Sequence, residues 1–311
     1  MSSLKGRDFL TINDFTKEEL TLILETSRAL KLEAKRGVFE PILKQKAIGL
    51  LFDQPSTRTR ISFEVGIQQM GGIVLYLRPD EIHLGKKESL YDTAKVLERF
   101  LDAIVIRWND QQMVDELAKH ADIPVINAMT NVYHPLQALA DFLTIHEKFG
   151  TFKGLKMTFF GPPSETVSRS AAIMSSKLGL HFCACCPKQY FLPQEYIDEL
   201  NANNELSGGM FTQTDDINEA TAGCHIVHTD VWWWYFSEED EIKERKAASI
   251  PYQVTAEVLA KCDKNVIFQH CLPATRGFEV TDEVMDGPHS VVFDEAENRL
   301  HTEKAVLSLI L

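Results

Sequence analysis

The chain has 311 residues, 44% apolar and 25% charged, the make-up of an ordinary globular protein with enough length for two α/β cores. Its 45 acidic residues outnumber 32 basic ones, giving a formal charge of −13, so neither nucleic acid nor an anionic membrane is expected as main partner. No apolar N-terminal stretch resembles a signal peptide and no run approaches the ~20 apolar residues of a membrane span, so a cytoplasmic location is expected.

Thr16 and Glu19 form a capping-box pattern that opens a helix carrying Leu20, Ile23, Leu24 and Leu30, with Gly37 after its end. Strands are predicted at Ala47–Phe52, Ile73–Leu77, Ala103–Arg107 and Pro124–Ala128. A long helix from about His134 to Phe149 follows. A second set of strands is predicted at Lys156–Gly161, His181–Cys186, Met210–Thr214, His225–Asp230 and Asn265–Cys271, and a closing helix at Glu295–Leu311. Strand–helix alternation predicts parallel sheets covered on both faces, and two such sets predict an α/β protein of two doubly wound parallel-sheet domains. The expected division is 1–133 plus 295–311 for the first domain, 134–149 for an interdomain helix and 150–294 for the second domain.

Cys183, Cys185 and Cys186 sit in one of these apolar runs at a spacing unlike a zinc site, and are expected in the core. Open α/β sheets bind ligands at the carboxyl ends of their strands, where the chemically distinctive residues do fall. After the first strand the chain reads Asp53-Gln-Pro-Ser-Thr-Arg-Thr-Arg60 and then turns helical. Ser56, Thr57 and Thr59 are hydroxyl donors at a helix N-terminus, and Arg58 adds a fork suited to phosphate oxygens. A plain serine cap with Arg58 and Arg60 on a solvated face would leave the same pattern.

Pro-Ser-Thr-Arg-Thr-Arg, then His134-Pro-Leu-Gln137, then His270-Cys-Leu-Pro273 resembles the aspartate/ornithine carbamoyltransferase superfamily. The similarity also takes in Ile82-His-Leu-Gly85, Arg107, Thr229-Asp-Val-Trp232 and Asp294-Glu-Ala-Glu-Asn-Arg-Leu300. The resemblance implies transfer of the carbamoyl group of carbamoyl phosphate to a small amine in amino-acid or polyamine metabolism, with phosphate released and no cofactor or metal. It implies that Ser56, Thr57, Arg58 and Thr59 grip the phosphate and that Arg107 bridges phosphate and carbonyl oxygen. His134 and Gln137 would hold the carbamoyl group, the Leu272 carbonyl would accept from its NH₂, and Arg276 would add a further phosphate contact. Arg107, His134 and Cys271 would be catalytic, with Cys271 beside the attacking amine rather than a covalent nucleophile. His83 would enter a neighbouring subunit's site, so a homotrimer or a multiple of it is expected.

The second-substrate end departs from the ornithine-type pattern. Asp230 is kept, but Ser-Met-Gly is replaced by Trp232-Trp-Trp-Tyr-Phe236, the Asn-bearing turn by Gly161-Pro-Pro-Ser-Glu165, and an acidic position by Phe278. Asp230, Cys271, Trp232 and Trp233 are the candidate acceptor contacts. Lost carboxylate donors and gained aromatic faces suit a diamine, and the resemblance to putrescine carbamoyltransferases points the same way. The aromatic run packed into a domain or subunit contact is the competing reading of those residues. Ornithine as acceptor, and a non-catalytic carbamoyl phosphate-binding paralogue, are the alternative functions; a dinucleotide-binding second half lacks any G-x-G-x-x-G.

Overall fold

A computed structural model of the chain describes residues 4–78, 80, 88–233 and 237–311. His83 and the segment Trp234, Tyr235 and Phe236 lie outside the described residues. The chain divides into two compact units, Met1–Leu143 with Glu297–Leu311, and Thr144–Ala296.

In the first unit α1 (Lys17–Lys35) starts at the expected capping box: Glu19 N–H donates to Thr16 Oγ1 at 3.2 Å, and Thr16 N–H to Glu19 Oε2 at 2.9 Å. Strands β1 (Ala47–Phe52), β2 (Ile73–Leu77), β3 (Ala103–Arg107) and β4 (Val125–Met129) alternate with α2 (Thr57–Gln69), α3 (Leu90–Leu97) and α4 (Gln111–His120). All pairings are parallel, in the order β2-β1-β3-β4. The continuous apolar runs of β1, β3 and β4 reflect burial on both sheet faces; Leu51, Ile104, Ile106 and Val125 join Val114 and Leu117 of α4 in one core. The chain steps from β1 to one side and returns to the other, so the switch point lies between β1 and β3. Asp53–Arg60 and Arg107 are at the carboxyl ends of those two strands.

Helix α5 (Pro135–Phe149) carries the chain into the second unit, and the division falls inside it. There β5 (Lys156–Phe160), β6 (His181–Cys185), β7 (Met210–Thr214), β8 (Ile226–Thr229) and β9 (Ile267–His270) form a parallel sheet in the order β7-β6-β5-β8-β9. Helices α6 (Thr166–Leu178), α7 (Gln194–Ser207), α8 (Ile217–Thr221), α9 (Glu239–Ser249), α10 (Ala256–Leu259) and α11 (Asp282–Met285) intervene. The switch point here is between β5 and β8, followed by Gly161–Glu165 and Asp230–Trp233. Cys183 and Cys185 pack with Phe160, Val227 and Phe268 in the core, and burial pushes both thiols above their ordinary range.

The closing helix α12 (Val292–Ile310) begins three residues before the expected Glu295. Buried Val292 already belongs to the first turn, ahead of Asp294 and Glu295, so the helix starts before the expected pattern does. No described helix is long and apolar enough to cross a membrane.

Candidate active site

The residues expected to bind the anion belong to the first unit. Ser56 is the N-cap of α2, with extended backbone (φ −144°), and its side chain makes no capping bond. Ser56 and Thr57 line a cleft of about 770 Å³ with Asp53, Arg60, Tyr76 and Arg78. Arg60 is an outer-wall residue: it pairs with Glu64 at 2.8 Å and stacks 3.8 Å from the Tyr76 ring. Arg58 and Arg107 both act on His134 through their charges, and Thr59 is buried.

A bulge between Ile106 and Arg107 shifts the register against β4, so Arg107 pairs with Met129 where regular spacing would give Ala128. Arg107, 9% exposed, is the last residue of β3 and so lies at the carboxyl edge of the sheet. Asp53 fastens that edge: its carboxylate accepts from Asn109 N–H at 2.8 Å and its own N–H donates to the Arg107 carbonyl. His134 immediately precedes Pro135, which opens α5 with its fixed φ and no N–H to satisfy. The imidazole is 5% exposed. Burial first, then the cations of Arg299, Arg107 and Arg58, holds its pKa well below 6.5. At neutral pH His134 is therefore an uncharged imidazole facing three guanidinium groups.

Arg299, on α12, lies in the Asp294–Leu300 motif, whose resemblance implies no role for it. Its Nη1 donates to Gln137 Oε1 at 2.8 Å, and its Nη2 to Thr59 Oγ1 at 3.2 Å and Glu303 Oε1 at 2.7 Å. Gln137 in turn donates to Asp141 Oδ1 at 2.8 Å. Arg58, Thr59, Arg107, His134 and Gln137 are thus one cluster organised around Arg299. The missed signal is a charged i,i+4 pair on a helix whose apolar neighbours require burial.

The acceptor-type residues belong to the second unit. Asp230, His270 and Cys271 present side-chain atoms within 4.8 Å of one another. They do not form a metal ligand set: His270 Nδ1 accepts from Leu272 N–H at 2.9 Å, and its Nε2 faces Glu279 Oε1 at 3.3 Å. Leu272 has a left-handed φ of +58° and precedes a cis proline. A non-glycine residue in that region costs about 1–3 kcal/mol, and here the bond to His270 helps to hold it.

Trp232 is 1% exposed, with its ring 6.3 Å from that of Tyr190 and 5.9 Å from that of Tyr252. A Cβ on Gly161 (φ +151°) would lie 3.3 Å from the indole nitrogen. Trp232 is a packing residue here, with no face open to an acceptor. Trp233 is half-buried, 6.1 Å from Phe278, and Lys246 Nζ lies 4.8 Å from its ring and 5.1 Å from that of Phe278.

Glu165 caps α6 by position, but its side chain accepts from Arg245 Nη1 at 2.6 Å; the same nitrogen donates to the Trp232 carbonyl at 3.1 Å. Burial, with Asp230 adding repulsion, pushes Glu165 upward, against the pull of Arg245. Arg245 and Lys246 lie on α9, a stretch to which the sequence gives no functional signal. Arg276 is away from these contacts. Its guanidinium is engaged by Asp282 and Asp286 at 2.7–2.8 Å, which leaves the expected phosphate role without support in this arrangement.

Residues 7–147 match the family described as aspartate/ornithine carbamoyltransferase, carbamoyl-P binding domain, and residues 153–310 its Asp/Orn binding domain. An ornithine carbamoyltransferase of Caldicellulosiruptor saccharolyticus is 47% identical over 304 residues, 98% of each chain. One from Halalkalibacterium halodurans is 45% identical over 309 residues, 99% of this chain and 96% of that one. The solved structure of the Pyrococcus furiosus ornithine carbamoyltransferase superposes with a TM-score of 0.95 at 42% identity, covering 100% of this chain and 98% of that one. With both domains matched in order along nearly the whole chain, this protein belongs to the aspartate/ornithine carbamoyltransferase family and is a carbamoyltransferase.

Proposed function

We propose that the protein is an ornithine carbamoyltransferase, moving the carbamoyl group of carbamoyl phosphate to the side-chain amine of ornithine with release of phosphate. The observation that carries this reading is the full-length likeness to proteins bearing that name, at 42–47% identity. It favours ornithine over the putrescine expected from the replaced motifs. A physical reason supports the same change: Arg245 is taken up by Glu165 and Glu241, but Lys246 lies against Trp233 and Phe278, a cation for a carboxylate that the replaced motifs do not reveal.

In this reading the hydroxyls of Ser56, Thr57 and Thr59, the N-terminus of α2 and Arg58 hold the phosphate. Arg107 spans phosphate and carbonyl oxygen. Neutral His134 donates to the carbonyl oxygen, where negative charge grows as the amine nitrogen attacks the carbamoyl carbon. The carbon–oxygen bond to phosphate then breaks, phosphate leaves with that electron pair, and the proton lost by the nitrogen passes to the departing phosphate. Thr59 Oγ1 already accepts from Arg299, which leaves its own proton for the ligand. Gln137 and the Leu272 carbonyl take the carbamoyl NH₂, and Asp230 and Cys271 receive the acceptor amine. Every position that the family pattern gives to carbamoyl phosphate in the first unit carries the matching side chain, which speaks for the catalytic reading over a non-catalytic paralogue. The family pattern assigns His83 to a neighbour's site, so the working unit is a homotrimer or a multiple of it.

Steady-state assays of ureido product with ornithine and putrescine test the acceptor. A higher kcat/KM for ornithine is expected. A clear preference for putrescine overturns the acceptor and leaves carbamoyl transfer standing.

A further inference from the structure

The guanidinium of Arg299 and the carboxylate of Glu303 are buried one helical turn apart on α12, Glu303 being 1% exposed. A guanidinium removed from water needs a counter-charge, since removal of one partner strands the other. Gln137 and Thr59 are neutral acceptors and cannot supply it. Glu303 does so at 2.7 Å, through the same Nη2 that reaches Thr59, and so fixes both the plane and the roll of the fork. On its far side the carboxylate faces Ser62 of α2, whose hydroxyl donates to the Arg58 carbonyl at 2.7 Å. Glu303 therefore lies under the phosphate turn while making no bond to Arg58, Thr59, Arg107, His134 or Gln137 themselves.

We propose that Glu303 is a positioning residue for carbamoyl phosphate, acting through Arg299 to set the orientation of Gln137 and Thr59. The charged group facing it is Arg299, on its own helix; from α2 it meets the neutral Ser62. Arg299 in turn faces His134, Gln137 and Thr59, so a displaced guanidinium is felt by three groups that the proposed function assigns to the same ligand. This inference rests on that assignment.

The test is calorimetric titration of the full-length protein with carbamoyl phosphate, together with steady-state kinetics, for wild type, Glu303→Gln and Glu303→Asp. The first variant keeps shape and removes charge; the second keeps charge and withdraws it by one methylene. Expected is a roughly tenfold weaker affinity and raised KM for carbamoyl phosphate in Glu303→Gln, a smaller effect in Glu303→Asp, and an acceptor KM within about twofold of wild type. A purely structural role would lower the melting temperature without moving the affinity of the folded protein. Unchanged affinity in whichever variant folds overturns the proposal. A wild-type protein that binds no carbamoyl phosphate overturns the assignment of the site and the proposal together, which separates the two failures.

Discussion

Replacing Arg299 by methionine removes the guanidinium and approximately keeps its stem, and the cost should depend on pH in a calculable way. Two bonds from the charged donor are lost at once, those to Gln137 and Thr59. At about 1.5 kcal/mol each, they set a loss of roughly 3 kcal/mol at every pH. Glu303 adds the pH dependence. Burial raises its pKa from 4.5 to about 7, against the opposing pull of Arg299 and Ser62. For a carboxyl raised on folding, its contribution to stability is full below the unfolded value and is lost as pH rises through the folded one. In wild type that loss levels off near pH 7, because above it Glu303 ionises in the fold.

Without Arg299 the folded pKa moves higher still, so the variant continues to lose stability where wild type has stopped. At pH 5.5 the carboxyl is protonated in both folded proteins and contributes equally. At pH 8.5 the variant carries an extra loss of up to ~2 kcal/mol, the limit set by the distance from about 7 to 8.5 at 1.36 kcal/mol per pH unit. Thermal unfolding of both proteins at pH 5.5 and 8.5 measures this directly. The melting-temperature gap between them should widen by several degrees at the higher pH. An equal gap at both values, or a wider one in acid, would refute the view that Arg299 is the counter-charge of a buried Glu303.

His134 should remain neutral well below pH 6.5 by imidazole NMR, with stability falling as pH drops beneath that unfolded value; titration near 6.5 would show that the three guanidinium groups do not face it. His134→Ala should lower kcat by about a hundredfold or more, checked by phosphate release, if the imidazole meets the developing oxyanion. Cys271→Ser should keep kcat within about tenfold and yield no covalent carbamoyl–enzyme by mass spectrometry; trapping such an adduct on wild-type Cys271 would show nucleophilic catalysis. Trp232→Ala should cost about 3–5 kcal/mol of unfolding free energy, because the indole is a core side chain; a near-neutral change would return it to the acceptor surface. Lys246→Met should raise KM for ornithine by about tenfold and leave that for putrescine near wild type, if the lysine meets a carboxylate.

Most of the sheet architecture was legible because parallel strands buried on both faces leave uninterrupted apolar runs. Ala103–Arg107 and Met210–Thr214 fall where expected, and only ends such as Pro124 against Val125 differ. The phosphate turn was legible because its residues are contiguous and open a helix. Arg299 and Glu303 were harder, since their role depends on Thr59 and Gln137, which lie 240 and 162 residues from Arg299 in sequence. Trp232 was misleading for a related reason. Three consecutive tryptophans look like a surface, but Gly161, Tyr190 and Tyr252, each from another segment, enclose the first of them.

The acceptor end shows how loss of a motif can differ from loss of a function. Absence of Ser-Met-Gly removes local donors, and taken alone it favours an acceptor without a carboxylate. The pairing of Glu165 with Arg245 spans 80 residues, and it consumes an acidic group that the sequence had offered to a second ammonium. Lys246, next along α9, then lies against Trp233 and Phe278, the two aromatic residues that replaced polar ones. Aromatic faces at that position therefore hold a protein cation, and they are not vacant for a substrate cation. Among the described residues Asp230, beside Cys271, is an anionic element, and Lys246 is a cation held against Trp233 and Phe278. If both charges meet the acceptor, as the proposed function has it, an amine with a carboxylate would match them, whereas a diamine would match the first and be repelled by the second.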